Sequence, residues 1–390
     1  KRRNRFVPNA FSPALAWLVP KPVYYVVVVQ CLHVPHQHIF TNVNFAITNR
    51  EFYIRTERKR KTQCIVIFVT HKKMISKDIS LAVQHLNQNG IIGFPTETVY
   101  GLAGNAFDTE AIHKIFEIKK RPTFNPLIVH IKGIEDLTQV ATEIPPIAYE
   151  LANAFWPGPL TLILKKQPYI PDLVTANQDT VAVRVPNHPV ALELLHQLDF
   201  PLVAPSANPF TSISPTSAEH VENYFGNQIN MVLEGGECSA GIESTIIGFE
   251  NNRVVVYRLG ALALEEIEKV SGSVTLLNKK DKKPIAPGML LKHYAPKTYF
   301  ILARNVQEEL DWYSDKKIGL LLYNSFMPDF ERKNQIVLSE ESDLKIAASK
   351  LYHAMHKLDK MNLDLIIAER LPEYGLGISI NDRLERASKK

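Results

Sequence analysis

The sequence predicts an α/β protein: a twisted, mixed sheet with helices outside it, followed by a smaller α/β unit. Three observations lead there. Short β-branched runs such as Leu127–Ile131 and Thr180–Val185 alternate with stretches of helical period. The runs Ser244–Phe249 and Arg253–Arg258, separated by Glu250–Asn252, read as a hairpin, so the sheet cannot be purely parallel. At 390 residues and 45% hydrophobic, the chain can bury a large core and form two or more domains.

The pattern becomes regular from Ser76. Ile79, Val83 and Leu86 mark one face of a first helix, with Gly90 placed to stop it. IIGFPTETVYGLAG, from Ile91 to Gly104, then reads as a buried strand that stops at Pro95, presents Thr96, Glu97 and Thr98, and turns away through Tyr100, Gly101 and Gly104. A strand ending in hydroxyls and a carboxylate suits the floor of a small polar site. Asp108 caps a second helix with Ile112, Ile115, Phe116 and Ile118 inward, and KKRPTFNP leads to the strand Leu127–Ile131.

Helices near Ile134–Ala141 and Ile147–Phe155 precede the strands Thr161–Lys165 and Thr180–Val185. A helix over Pro189–Leu198, the strand Leu202–Ala204, a helix over Ser217–Tyr224 and the strand Met231–Leu233 follow. After the hairpin a helix near Leu264–Val270 closes the unit. Residues 271–297, with SGSV, NKKDKK, PIAPG and HYAP, read as a linker. The second unit shows strands at Tyr299–Ala303, Ile318–Tyr323, Gln335–Leu338 and Leu365–Ala368, with helices near Val306–Tyr313, Asp343–Met361 and Ser379–Ala387. It has neither a Walker loop nor GxGxxG, and no repeat or transmembrane segment is visible.

The net charge of +5 conceals a split: residues 1–73 hold 13 Lys/Arg against 2 Asp/Glu, leaving 32 against 38 in the remainder. An acidic body argues against a surface devoted to nucleic acid. Two of the three cysteines, Cys31 and Cys64, lie in the basic segment, and Cys238 alone remains in the body. That excludes a disulfide framework or CxxC metal pattern there and suits a reducing cytoplasm. No protein-ligated metal is expected. Residues 1–73 contain no Met, Gly or Asp, and their longest apolar run, Val23–Val29, is short of the ~20 residues a bilayer requires. KRRNR followed by FSPALAWLV has the look of a signal peptide, and an Arg-rich organellar presequence is the other targeting reading; Pro13 and the proline spacing fit both poorly. The favoured reading is a non-native or disordered leader, with Met74 as the native start.

Five constellations could hold chemistry. Lys119-Lys120-Arg121 before Pro122 is either a solvated helix end, favoured by the dipole, or a phosphate clamp. His130 ends an apolar strand, where a satisfied core histidine is the ordinary outcome. Arg184 is the odd residue in VAVRVP and must pair with an internal acid or receive a ligand carboxylate; the ligand is favoured. PSAN offers Ser206 and Asn208 at a strand end, with an N-cap and Asx turn as the bland alternative. GIEST places Ser244 and Thr245 at a strand start, and Arg258 closes the hairpin. Together these suit an anionic nucleotide beside a zwitterion.

PTETVYGL, KxRP with FNPLIVH, WPGPLT, RVPNHP, APSAN and STI, in this order and spacing, resemble the YrdC-like L-threonylcarbamoyl-AMP synthases. PGMLLKHYAP and GLGISINDRL resemble the two-domain form of that family. The resemblance spans about Ser76–Ala387 and none of the leader. It implies a catalytic domain at 74–270, a linker and lid at 271–297 and a Rossmann-like accessory domain at 298–390. It also implies condensation of L-threonine, bicarbonate or CO2, and ATP, assisted by Mg2+. The products are threonylcarbamoyl-AMP and pyrophosphate, and a downstream tRNA threonylcarbamoyl transferase takes the adenylate. By the same resemblance Arg184 binds the threonine carboxylate, while Thr96, His130, Ser244 and Thr245 hold the amine and hydroxyl. Lys119 and Arg121 act on the triphosphate as catalytic groups, with Ser206, Asn208 and Arg258 at the nucleotide and His293 and Tyr294 folding over it.

Two rivals differ in class. A non-catalytic module binding tRNA or double-stranded RNA would use Lys119–Arg121, but the acidic body and the lack of an aromatic-basic stripe weigh against more than a weak tRNA contact. A carbamoyl-transfer maturation factor would add zinc-binding cysteines and an acylphosphatase-like region, and neither is in this sequence. A cytoplasmic enzyme without membrane attachment is expected.

Overall fold

The computed structural model describes residues 74–251, 253–277 and 293–389, and the backbone of 43–48, 51–58 and 61–68. Expectations for residues 1–42, and for 278–292 of the linker, lie outside the described residues. The chain divides into two compact units, Lys1–Lys73 and Met74–Lys390. In the first, strands Val43–Thr48, Glu51–Arg58 and Lys61–Phe68 form an antiparallel meander. The sequence reading named no strand there.

The second unit is built on a mixed sheet. Its strand order is Thr275–Leu276, Arg253–Arg258, Thr245–Glu250, Leu160–Lys166, Thr180–Arg184, Ile128–His130, Leu202–Val203, Gly101–Asn105, Ile92–Phe94, Met231–Leu233, Ile75–Ser76. Both pairing senses occur: Thr180–Arg184 is parallel to Ile128–His130 and antiparallel to Leu160–Lys166. The expected hairpin is present, Thr245–Glu250 against Arg253–Arg258.

Period-two alternation sends successive residues into different cores. Leu102 joins the core under helices Thr109–Lys119 and Pro146–Phe155, and Ala103 joins the one under helices Ile79–Asn87 and Pro189–His196. A four-stranded, wholly parallel sheet forms the C-terminal part, in the order Tyr299–Ala303, Leu365–Glu369, Ile318–Leu322, Gln335–Val337. Its helices Leu344–Asp359 and Leu376–Ala387 share an apolar core with Val99, Ile213, Ile242 and Tyr294. The two sheets are therefore joined by buried surface as well as by the chain. Among the described residues, no helix is long and apolar enough to cross a membrane.

Two local expectations are corrected. Gly101 and Gly104 lie in a strand, Gly101–Asn105, rather than in a turn. A Cβ at Gly101 would stand 2.9 Å from Ala204 Cβ, and one at Gly104 would stand 2.9 Å from Ile91 Cδ1. These glycines allow close approach, which a reading of glycine as punctuation misses. The first helix is stopped one residue early: Asn89 takes the left-handed conformation (φ 55°), while the Gly90 N–H closes the turn onto His85 O at 2.8 Å. The short helix Asp172–Thr175 was not foreseen.

The cap at Asp108 forms as expected, its carboxylate accepting from Ala111 N at 2.7 Å. Asp108→Ala should lower unfolding free energy by about 1 kcal/mol, with Asp108→Ser recovering most of it in denaturant titrations. A second expectation concerns acid. The His220 and His356 rings stack at 3.9 Å between the two sheets' helices. Burial lowers His220 to about 3, helped by the nearby His356, and burial lowers His356 to about 4. Both are neutral in the fold, whereas the unfolded chain takes up protons below pH 6.5. Stability is thus present above that value and is lost as pH falls towards 4. A melting temperature unchanged between pH 7 and 5 would contradict this.

Candidate active site

The site grows out of the same alternation. Ile128, Ile163, Ala182 and Ile246 form a small apolar cluster on one face of the sheet. Their neighbours Val129, Leu162, Val183 and Ile247 belong to the main core on the other face. Two residues from each member of the small cluster stand His130, Thr161, Arg184 and Ser244, which must share its face. Register brings them together: Arg184 pairs with His130, and Ile246 pairs with both Thr161 and Arg258. The loop after Leu202–Val203 adds Ser206, bridged to Gly101. A cavity of about 50 Å³ lies over this face, walled by Thr96, Thr98, Arg121, His130, Arg184, Ser206, Glu243, Ser244, Arg258, His293 and Tyr294, among others.

At one end Arg184, 3% exposed, donates from Nε to Gly158 O (3.1 Å) and from Nη1 to Thr98 Oγ1 (2.8 Å). Its Nη2 lies 2.6 Å from Glu97 Oε1, off the hydrogen-bond direction, so the contact is an ion pair and not a directed bond. An internal acid does face Arg184, although the ligand was the favoured partner from sequence. The ion pair does not use up the guanidinium, which has five donors, and Arg184 also forms part of the cavity wall. Thr96 Oγ1 donates to Val99 O at 2.6 Å and accepts the amides of Thr98 and Val99, which folds the loop. Burial, with Arg184 close by, lowers His130 to about 3. The imidazole is therefore neutral, and its buried Nδ1 has no hydrogen-bond partner among the described residues.

Cations gather at the other end, and main-chain carbonyls hold them. Helix Thr109–Lys119 ends in a left-handed Lys120 (φ 52°), and Arg121 N closes the turn onto Phe116 O at 2.9 Å. Arg121 donates from Nε to Asn125 O (3.2 Å) and from Nη2 to Pro126 O (2.8 Å). Lys119 Nζ reaches Ser206 O and Asn208 O, each at 2.5 Å. Arg258 donates to Ser244 O from Nε (3.1 Å) and Nη2 (2.7 Å), and also to Ser244 Oγ (3.1 Å). The carbonyls described for Lys119 and Arg121 accept hydrogen bonds without cancelling the charge. Burial depresses Lys119 well below its ordinary range, with Arg121 adding to the effect. Arg121 falls to about 9 through burial and the facing Arg258. Burial first, then Arg121 and Lys119, push His293 well down. Such a cluster attracts an anion.

His293 and Tyr294 form part of the cavity wall. His293 packs edge-on to Phe210 (6.3 Å) and to Tyr294 (4.1 Å), and Ala295 N donates to Thr211 O at 2.9 Å. Tyr294 takes φ 65°, costly for a bulky residue, and burial together with Glu243 raises its hydroxyl to about 12.

Nine of the twelve sequence-derived residues form the cavity wall. Lys119, Asn208 and Thr245 stand behind it. Lys119 braces the PSAN loop. The Asn208 amide donates to Pro209 O and Ser212 O, both at 2.9 Å, leaving Oδ1 buried and without a hydrogen-bond partner among the described residues. Thr245 Oγ1 donates to Leu262 O (2.7 Å) and accepts from Leu262 N (3.1 Å). Sequence reasoning missed Thr98 and Glu243 as wall residues, and Glu97 as the counter-ion of Arg184. Glu97 was legible as a carboxylate at a strand end, while Glu243 offered no local signal.

Comparison with known proteins identifies the family. The family model described as telomere recombination, covering the Sua5, YciO and YrdC proteins, matches residues 84–260. The model for the C-terminal domain of threonylcarbamoyl-AMP synthase matches residues 262–389. The threonylcarbamoyl-AMP synthase of Pyrococcus abyssi is 38% identical over 337 residues, covering 83% of this chain and 97% of that protein. The Bacillus subtilis protein of the same name is 37% identical over 320 residues, covering 80% and 92%. The crystal structure of P. abyssi Sua5 complexed with L-threonine superposes with a TM-score of 0.75 at 38% identity, over 81% of this chain and 96% of that one. On the identity and coverage of these relatives, the chain belongs to the two-domain Sua5 family of threonylcarbamoyl-AMP synthases.

Proposed function

We propose that the cavity condenses L-threonine, bicarbonate or CO2, and ATP into threonylcarbamoyl-AMP and pyrophosphate, a nucleotidyl transfer whose product passes to a tRNA threonylcarbamoyl transferase. One observation supports it most: buried cations held by carbonyls, in the same cavity wall as an arginine that has its own carboxylate. The first feature suits a triphosphate and the second a zwitterionic amino acid. The named relatives and the threonine complex point the same way.

The chemistry needs no covalent enzyme intermediate. The threonine amine loses a proton and bonds to the carbon of CO2, giving a carbamate. A carbamate oxygen then attacks the α-phosphorus, and the bond to pyrophosphate breaks. Arg184 would fix the threonine carboxylate, and neutral His130, with Thr96 and Ser244, would orient the amine and hydroxyl ends. Arg121 and Arg258 would spread over the phosphates, with Lys119 holding the PSAN loop so that Ser206 faces them. Catalysis of this kind is positioning and charge neutralisation. Mg2+ would ride on the triphosphate and neutralise part of its charge, since Glu97 and Glu243 are already engaged with protein partners. A cavity of about 50 Å³ holds only a few waters. His293 and Tyr294 would therefore withdraw for entry and return to exclude water from the adenylate.

Arg184→Lys keeps a charge beside Glu97 but loses the planar fork. It should raise the threonine KM by about 10- to 100-fold, with ATP affinity changed only a few-fold in calorimetric titration. Equal losses for both substrates would remove the assignment. Arg121→Ala should show the converse, weakening ATP by about tenfold or more while threonine binding persists. Threonine-dependent pyrophosphate release by the full chain checks the reaction itself: an RNA-binding module would release none, and a carbamoyl-transfer factor would require carbamoyl phosphate.

A further inference from the structure

GIEST brings Ser244 to the cavity, but much of what holds it comes from the C-terminal part of the chain. Glu243, 6% exposed and part of the cavity wall, receives four contacts. Ser214 Oγ donates to Oε1 at 2.6 Å, and Tyr352 OH lies 3.1 and 3.0 Å from the two oxygens. Arg383 Nε reaches Oε2 at 3.3 Å. Tyr352 belongs to helix Leu344–Asp359 and Arg383 to helix Leu376–Ala387. Arg383 is wholly buried and is steadied from Nη1 by Ser379 O at 3.2 Å.

Two backbone contacts flank this cluster. Gly241 (φ 71°) lies so close to helix Leu344–Asp359 that a Cβ would stand 2.4 Å from both Ser349 Cα and Ser349 O. Gly260 presses on the GIEST backbone: a Cβ there would stand 2.3 Å from Ser244 C, and Ser379 Oγ donates to Gly260 O at 2.9 Å. The same two side chains also lie against Tyr294, another residue of the cavity wall. The Tyr352 ring lies 5.6 Å from that of Tyr294, and the Arg383 guanidinium carbon lies 5.7 Å from the Tyr294 centroid. One buried cluster therefore holds the Ser244 loop and packs against Tyr294 when the His293–Tyr294 segment is closed.

We propose that Glu243, Tyr352 and Arg383 form a positioning clamp through which the C-terminal part sets the geometry of the active site. The inference rests on the function proposed above. Glu243 is the middle of the clamp and acts through Ser244, its neighbour in the chain. Arg258 senses it as well, because its guanidinium is anchored on the Ser244 carbonyl. A purely structural role would predict lost stability with unaltered kinetics per folded molecule. The clamp predicts altered kinetics in molecules that remain folded.

The test uses the full chain and steady-state pyrophosphate release at varied threonine and ATP, below each variant's melting temperature. Tyr352→Phe removes one hydroxyl and keeps the ring. It should lower kcat/KM for threonine by about tenfold, and Glu243→Gln should do the same. The double variant should lose less than the product of the two single losses, since the Tyr352–Glu243 hydrogen bond is common to both. Leu320→Ala, in the C-terminal sheet and away from the clamp, should lower the melting temperature and leave kcat/KM unchanged. If wild type is active and Tyr352→Phe matches it, or if Leu320→Ala loses as much, the clamp is refuted. A wild-type chain without threonine-dependent release overturns the underlying function and the clamp with it.

Discussion

Taking a guanidinium or ammonium out of water costs several kcal/mol unless its charge is answered. This fold does so repeatedly around one face of one sheet: Lys119, Arg121, Arg184 and Arg258 are all at most 7% exposed. Arg184 is answered by Glu97. The contacts described for Lys119 and Arg121 are main-chain carbonyls, and Arg258 leans on the Ser244 carbonyl. Carbonyl dipoles satisfy hydrogen bonds but leave the positive potential standing. The depressed affinities of Lys119 and Arg121 for their own protons record that strain, and so does that of His293. A polyanion would relieve it, which is the ground for proposing a binding site there.

The surrounding architecture serves that arrangement. Parallel pairing sets His130 beside Arg184, and Gly101 lets the chain entering PSAN close in at Ala204 and Pro205. The left-handed Lys120 turns the chain so that Arg121 follows directly on a helix end. The C-terminal sheet does not enter the cavity. Its helices reach it through Tyr352 and Arg383, so its influence runs through Glu243 and Tyr294.

Much of this was legible in the sequence because the signals are local. Arg184 stood out as a cation in a β-branched run, Asp108 as a cap, and PSAN and GIEST as polar strand ends. The ordered motifs made the family readable. What escaped depends on distant partners. Thr98 meets Arg184 across 86 residues, and Glu243 meets Tyr352 and Arg383 across 109 and 140. No periodicity reveals such pairs. Thr245 was placed with Ser244 on adjacency alone, yet alternation turns its hydroxyl to Leu262 on the other side of the strand. The glycines of GLAGN misled for a related reason, since the close approach they permit is tertiary.

The central claim is that one face of one sheet holds an amino-acid carboxylate and a triphosphate side by side. A crystal structure of the full chain with L-threonine and a non-hydrolysable ATP analogue tests it most directly. The account predicts the threonine carboxylate on Arg184 and the phosphates between Arg121 and Arg258, with the amine facing the α-phosphate across a gap that CO2 would fill. Phosphates bound away from Arg121 and Arg258, or the two ligands on opposite faces of the sheet, would contradict it.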